Sequence, residues 1–336
     1  MLLQFQNPSN VAVGYQSQAF SLAATGMTRT LEYDDASRIK SMTHAGGTAT
    51  TQTNQRFDYD DLDRLISFAG NGNAQSYDYD ESGNRSKLVI GANTYTVATS
   101  PLSNKLSGTT GPYPGKSSVT YGAGYILSDG TTFYTYSDRG RMKRAAKAGA
   151  TTDYLYNAID QRVVKSGVSV ASGANFYAYD EAGQLLGEYS NNGAAVQETV
   201  YLGTTPVAVL RGDVYYVYAD HLDTTRVITT SSDNSPVWRW DTADPFGAQL
   251  PLENPSGKGT FTFNPRFPGQ LFDRETNNHY NYHRDYDPQT GRYIQSDPIG
   301  LLGGIDTYLY ADGNPISLSD RTGDCPSCVA AAIGGG

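Results

Sequence analysis

A mainly β fold, with hairpins joined edge to edge into a curved or spiralling antiparallel sheet, follows from three features of the sequence. A short tyrosine-acid phrase recurs along the chain. Tyrosine dominates the aromatics, with 26 Tyr against 11 Phe and 2 Trp. Glycine is abundant at 36 residues, while only 18% of residues are charged. A tyrosine ring packs like an apolar side chain while its hydroxyl seeks a partner. Aromatics favour strands and glycine favours tight turns.

The phrase reads LEYDDASRI (31–39), FDYDDLDRL (57–65), YDYDESGNR (77–85), YTYSDRGRM (134–142), YLYNAIDQRV (154–163) and YAYDEAGQLL (177–186). Aligned on Tyr33, Tyr59, Tyr79, Tyr136, Tyr156 and Tyr179, the intervals are 26, 20, 57, 20 and 23 residues. The longest gap has room for two worn copies, around Tyr95 and Tyr121. Such a period marks stacked supersecondary units. Within a copy, aromatics two residues apart, such as Phe57 and Tyr59, share one face of a strand. The cluster after them supplies a carboxylate for nearby N–H groups and a residue tolerant of positive φ. A hydrophobic strand then resumes, as in Leu185–Tyr189. Each copy is thus a hairpin, and successive hairpins pair into one twisted sheet. An ordinary β-sandwich does not account for so many copies of one phrase.

Few helices are expected. Residues 100–118 and 249–259 are rich in Pro, Gly and Ser and read as loops. The first strands, near residues 30–40, are left as an open edge that invites pairing. Trp238 and Trp240 share a strand face and read as core or shell lining.

Composition bounds the function. A net charge of −9 argues against a nucleic-acid partner. The one basic cluster, Arg139–Arg144, reads as a solvated strand end. No run approaches the roughly 18 apolar residues of a membrane-spanning helix, and the first residues show no signal-peptide pattern. Cys325 and Cys328 are the only cysteines. Their spacing is half a metal site, but no further cysteine completes a cage, so neither a metal nor a cofactor is expected.

Two further segments carry a specific resemblance. They are YYVYADHLDTTRVITTSSDNSPVWRWDTADPFG (215–247) and YNYHRDYDPQTGRYIQSDPIGLLGGIDTYLYADGNPISLSDRTG (280–323). With the repeated phrase, they resemble RHS/YD-repeat proteins, a family that includes teneurins, polymorphic toxins and the C component of insecticidal toxin complexes. The resemblance covers Leu31 to Gly323. Asp223 and Thr225 stand where the family usually carries Gly and Pro. His221 reads as a structural turn histidine more readily than as a base or metal ligand.

The resemblance implies a YD-repeat shell over 1–250, an RHS-associated core acting as a plug over 251–324, and a short tail at 325–336 in place of a toxin domain. It also implies aspartyl-type self-cleavage. Two carboxylates held close share a proton, so one activates water while the other polarises the scissile carbonyl. The family's positions carry over to Arg284 in YHRDYDP, Asp297 in SDPIG and Asp320 in SDRTG. On residues alone Asp297 is a turn initiator, since Asp-Pro also occurs at 244–245 and 287–288.

The implied cleavage site is the Asp324–Cys325 bond. There the family's DPxGL has become Asp320-Arg321-Thr322-Gly323-Asp324. A carboxylate must enter a pocket suited to leucine, at a desolvation cost, so slow or absent cleavage is expected. Partners implied are an upstream RHS shell, a secretion-apparatus component and a toxin payload, in a secreted or cell-surface setting. Two other classes stand beside this one. One is a cell-surface or carbohydrate-binding module without catalysis. The other is a hydrolase acting in trans, which needs an open cleft holding two acids.

Overall fold

The computed structural model describes residues 13–16, 28–45, 54–70, 72–100, 102–111, 115–240 and 244–324. The expected mainly β architecture is what is found. Nine strands, from Val13–Gln16 to Leu106–Thr109, pair in sequence order in one antiparallel sheet. Thirteen more, from Thr120–Gly122 to Pro236–Arg239, form a second. Four short strands, Leu271–Asp273, Asn278–Asn281, Arg284–Asp287 and Arg292–Tyr293, make the sheet of the plug. The only helical pieces among the described residues are the 3₁₀ turns Gly300–Gly303 and Ala311–Gly313.

The repeated phrase has one structural meaning. Its tyrosine sits at a bulge, where the register slips by a residue, as between Asp58 and Tyr59 or Asp78 and Tyr79. A bulge sharpens the local twist and turns the chain toward the next hairpin. The following acid then closes the turn. Asp60 Oδ1 accepts the N–H groups of Leu62 and Arg64, both at 3.0 Å, and Oδ2 takes Arg64 Nε at 2.7 Å. The residue third after the acid adopts positive φ, as Asp63 (63°) and Gly83 (94°) do. That position is why Gly, Asp and Ser occur there.

The tyrosine hydroxyl links neighbouring hairpins. Tyr59 donates to the Ile39 carbonyl, Tyr79 to Leu65, Tyr136 to Ile126, Tyr156 to Met142 and Tyr179 to Arg162, at 2.8–2.9 Å. Phenylalanine would bury an unpaired carbonyl at each step. This explains why tyrosine, not phenylalanine, carries the repeat.

The same bulge also occurs at Thr99, Tyr121, Tyr201 and Ala219, where the wording has eroded. Tyr121 is the expected worn copy, and its hydroxyl accepts the Leu106 N–H at 2.8 Å. The other worn copy turns at Thr99 rather than Tyr95, which lies mid-strand. Asp220, in the 215–247 segment, is one more repeat turn, with Asp223 at φ 68°.

Three expectations need correction. Residues 100–118 are not all loop, because Leu106–Thr109 is the last strand of the first sheet. Residues 30–40 are not an open edge, since Thr28–Tyr33 pairs with Val13–Gln16. In the basic cluster, Arg139 and Arg144 are exposed but Arg141 is buried. Ser137 replaces the turn acid in that copy, which leaves the Arg141 side chain without its usual partner. It reaches inward instead and donates to the carbonyl and Nδ1 of His283.

Both sheets meet the plug: Arg85 of the first donates to the Gln289 carbonyl, and the Tyr156 ring of the second lies 6.3 Å from that of Tyr280. Trp238 and Trp240 are fully buried core against Phe261, Phe263, Phe267, Tyr286, Tyr293 and Tyr310. Charged groups also tie shell to plug. Arg162 Nη1 lies 2.6 Å from Asp273, Lys165 Nζ 3.0 Å from both Asp273 and Glu275, and Lys116 Nζ 3.3 Å from Asp287. In the turn after Ala219, His221 Nε2 meets the Ile316 carbonyl of the plug at 2.7 Å. Burial holds the His221 pKa below its ordinary value, as suits a neutral structural histidine. No cluster of three potential metal ligands occurs among the described residues.

Candidate active site

The plug sheet sets the geometry. Asn281 pairs with Arg284 across one hairpin, and Tyr286 with Tyr293 across the next. Asn281, Arg284 and Tyr293 are thereby placed around the returning segment Asp320–Asp324. The three residues carried over by resemblance meet there. Arg284 Nη2 lies 3.0 Å from Asp297 Oδ2 and 3.2 Å from Asp320 Oδ2, with all three side chains buried. The same guanidinium donates through Nε to the Gly323 carbonyl and through Nη1 to the Thr307 carbonyl at 3.2 Å. The Tyr293 ring lies 3.7 Å beneath it, a cation–π contact that is strong when desolvated.

The two acids differ in surroundings. Asp320 Oδ1 accepts the N–H groups of Gly323 and Asp324, at 2.8 and 3.2 Å. Its Oδ2 accepts the Tyr293 hydroxyl at 2.8 Å. With Arg284, four donors reach this carboxylate. Asp297 has fewer: the Ile299 N–H at 2.9 Å and Arg284. Burial pushes the Asp297 pKa up, Arg284 pulls it partly back, and Asp320 adds to the rise. Asp297 also initiates a turn, as its residues alone suggest, with its carbonyl accepting the Gly300 N–H.

Gly303 packs directly against the site. A Cβ on this residue would lie 2.5 Å from Asp297 Oδ2 and 3.2 Å from the Asp324 carbonyl oxygen. The carboxylate and the carbonyl of the implied scissile bond thus converge on the space that glycine leaves. Gly323, at φ 73°, is equally constrained, since its Cβ would fall 2.3 Å from the Asn281 carbonyl. Cys325 and Cys328 lie outside the described residues.

The surroundings of Asp324 differ from the apolar pocket expected. Asp324 Oδ2 lies 3.3 Å from His283 Nε2. Burial and the neighbouring Asp320 push the Asp324 carboxyl up to about 6. Arg321, the other departure in this segment, pairs with Asp223 at 2.7 Å. Asp223 also accepts the hydroxyls of Thr204 and Thr205, at 2.7 and 2.6 Å. Two positions that depart from the family pattern, 98 residues apart, therefore satisfy one another. Sequence reasoning missed Asn281, Tyr293, Gly303 and His283, which no spacing rule points to.

An open cleft of about 610 Å³ lies between the first sheet and the plug, near Gln75, Ile90, Phe272 and His279. Among the described residues Asp244 is the only carboxylate lining it, and the Asp297–Asp320 pair is buried elsewhere.

The Teneurin YD-shell family signature matches residues 17–302. The chain belongs to the YD-shell family. It is 35% identical over 111 residues to the toxin protein Tse5 of Pseudomonas aeruginosa, a match covering 33% of this chain and 8% of Tse5. It is 26% identical over 326 residues to RhsA of Dickeya dadantii, covering 87% of this chain and 22% of RhsA. The crystal structure of TcdB2-TccC3-Cdc42 superposes with a TM-score of 0.73 at 18% identity, over 93% of this chain and 18% of that one. That likeness is one of fold. Together these make the chain an RHS/YD-repeat protein of the toxin type, with a shell-type fold. It spans between 4% and 48% of the length of the curated relatives it matches.

Proposed function

We propose that this chain is the closing portion of an RHS/YD-repeat toxin shell whose plug cleaves its own backbone after Asp324. In this proposal the repeats run to about residue 250, the autoproteolytic core spans 251–324, and the segment from Cys325 is released. The observation that carries it is the buried Arg284 bridge between Asp297 and Asp320, with the same guanidinium on the Gly323 carbonyl. Water adds to the Asp324 carbonyl carbon and the C–N bond to Cys325 breaks. The acid pair takes a proton from the water and supplies one to the carbonyl oxygen, then returns a proton to the leaving amine. Asp297 serves as proton donor. Asp320 stays ionised and holds the Gly323 and Asp324 amides in place. Arg284 stabilises charge on the pair and fixes the peptide.

Outside the chain, the fitting partners are an upstream shell segment or secretion component and a toxin payload. The relatives named as toxins support that setting. A C-terminal epitope tag tests the chemistry: it separates from the folded chain as a fragment beginning at Cys325, and a tag that stays attached contradicts the proposal.

Gly303→Ala offers a sharper check. The added methyl displaces Asp297 from the Asp324 carbonyl, so tag release falls by roughly a hundredfold or more, the scale of a misplaced reacting group. Gly303 lies in a partly exposed turn, so the thermal midpoint stays within a few degrees. Release at the wild-type rate places the catalytic carboxylate elsewhere.

A further inference from the structure

We infer that a second cavity, lined by Arg266 and Gln270 of the plug, is a binding site for a short aliphatic monocarboxylate. The inference is independent of self-cleavage. The cavity measures about 130 Å³, room for one small organic anion or a few waters. Strands of the second sheet line it at Thr199 and Thr225, and the plug lines it from Arg266 to Leu271.

Charge points to an anion. The charged residues lining the cavity are Arg266, Arg321 and Asp223. Arg321 pairs with Asp223, whose carboxylate is completed by the Thr204 and Thr205 hydroxyls. Arg266 is left over. It is 3% exposed, and its Nη1 donates to the Phe263 and Pro265 carbonyls at 2.8 and 2.9 Å. Its Nη2 has no hydrogen-bond partner in the protein. Arg162 and Arg284 are also buried, yet each holds a carboxylate. Among the described residues no carboxylate is paired with Arg266. Burial and the Arg274 charge accordingly pull its pKa down to about 9, with Glu253 offsetting only part. The Phe272 and Trp240 ring centroids lie 4.6 and 5.4 Å from the guanidinium carbon. Ring faces offset some of the desolvation, whereas an unmade charged hydrogen bond still costs free energy.

A second donor belongs to the same turn. The Arg266 N–H donates to the Gln270 carbonyl at 3.0 Å, so the two residues face each other across it. Gln270 is 4% exposed, and its Oε1 lies 2.7 Å from His279 Nδ1. Its Nε2 is left without a partner in the protein, like Arg266 Nη2. Two buried donors, one of them charged, call for an acceptor with two oxygens, which a carboxylate presents. The walls narrow the class. Phe263, Phe267 and Leu271 line the cavity and are buried. A short aliphatic tail suits that lining, whereas a phosphate dianion would leave oxygens against it unpaired.

The test is calorimetric titration of the full chain with sodium propionate at constant ionic strength. Saturable binding at a single site is expected, with inorganic phosphate binding roughly tenfold or more weakly. Arg266→Met keeps the length of the side chain and removes its charge, so propionate binding weakens by roughly tenfold or more. Gln270→Met loses the neutral donor and weakens it by roughly threefold or more. No saturable heat, phosphate bound as tightly as propionate, or unchanged affinity in both variants overturns the inference. Arg266→Met also unpairs two backbone carbonyls, so a measurement on wild type guards against loss of the fold. Proton NMR is expected to show nuclear Overhauser contacts from bound propionate to Phe267 and Leu271. Contacts confined to other residues place the ligand elsewhere and equally overturn it.

Discussion

Asp273→Ala is expected to destabilise the fold by about 3–5 kcal/mol, the usual cost of removing one partner from a buried charge cluster. Asp273 binds Arg162 Nη1 at 2.6 Å and Lys165 Nζ at 3.0 Å, and Arg162 is 1% exposed. The Arg162 guanidinium also lies 4.1 Å from the Tyr280 ring centroid and 4.9 Å from that of Tyr154. Without Asp273, Lys165 keeps Glu275 while the buried Arg162 loses its carboxylate. Because Arg162 belongs to the shell and Asp273 to the plug, the damage falls on the joint between them. Chemical denaturation checks this. A loss below about 1 kcal/mol would mean that water relaxes into the site and the ion cluster is not what seats the plug.

Asp285→Asn is expected to act in the opposite direction, and only above mildly acidic pH. Asp285 is buried, accepts Gln295 Nε2 at 2.6 Å through Oδ2, and leaves Oδ1 without a hydrogen-bond partner. Burial pushes its pKa from 3.8 to about 6, with Arg162 pulling it only partly back. The folded chain thus binds this proton more tightly than the unfolded one. Its contribution to stability is full below about pH 4, declines through the window from about 4 to 6, and is lost above it. A gap of about two pKa units corresponds to roughly 3 kcal/mol. Asparagine cannot ionise, so the variant equals wild type near pH 4 and exceeds it by up to that amount at pH 8. Parallel pH dependence in the two proteins would show that Asp285 is not the group responsible.

How much of this was legible in the sequence differs by region, for physical reasons. The shell repeat is written in side chains that do backbone work. The tyrosine hydroxyl, the turn carboxylate and the positive-φ residue each satisfy a fixed backbone group, so the period survives in the letters. Where the bulge carries no tyrosine, as at Thr99 and Ala219, the letters drift and the copies are hard to see. The plug is different. Its strands are two to four residues long and buried throughout, so they carry no alternation to read.

At the candidate site, Arg284, Asp297 and Asp320 were accessible through motif resemblance, and the structure brings them together. The surroundings of Asp324 were not accessible. They depend on Arg141, released by Ser137 in a distant repeat, meeting His283 across the shell–plug boundary. The pairing of Arg321 with Asp223 likewise joins two departures that look unrelated along the chain.

The central claim is that the Arg284-bridged acid pair cuts the chain after Asp324, and the intact mass of the purified protein tests it most directly. Wild-type protein is predicted to have a mass ending at Asp324, and Asp297→Asn protein a mass extending to Gly336. A wild-type chain that keeps its full mass, or equal truncation in both proteins, would contradict it.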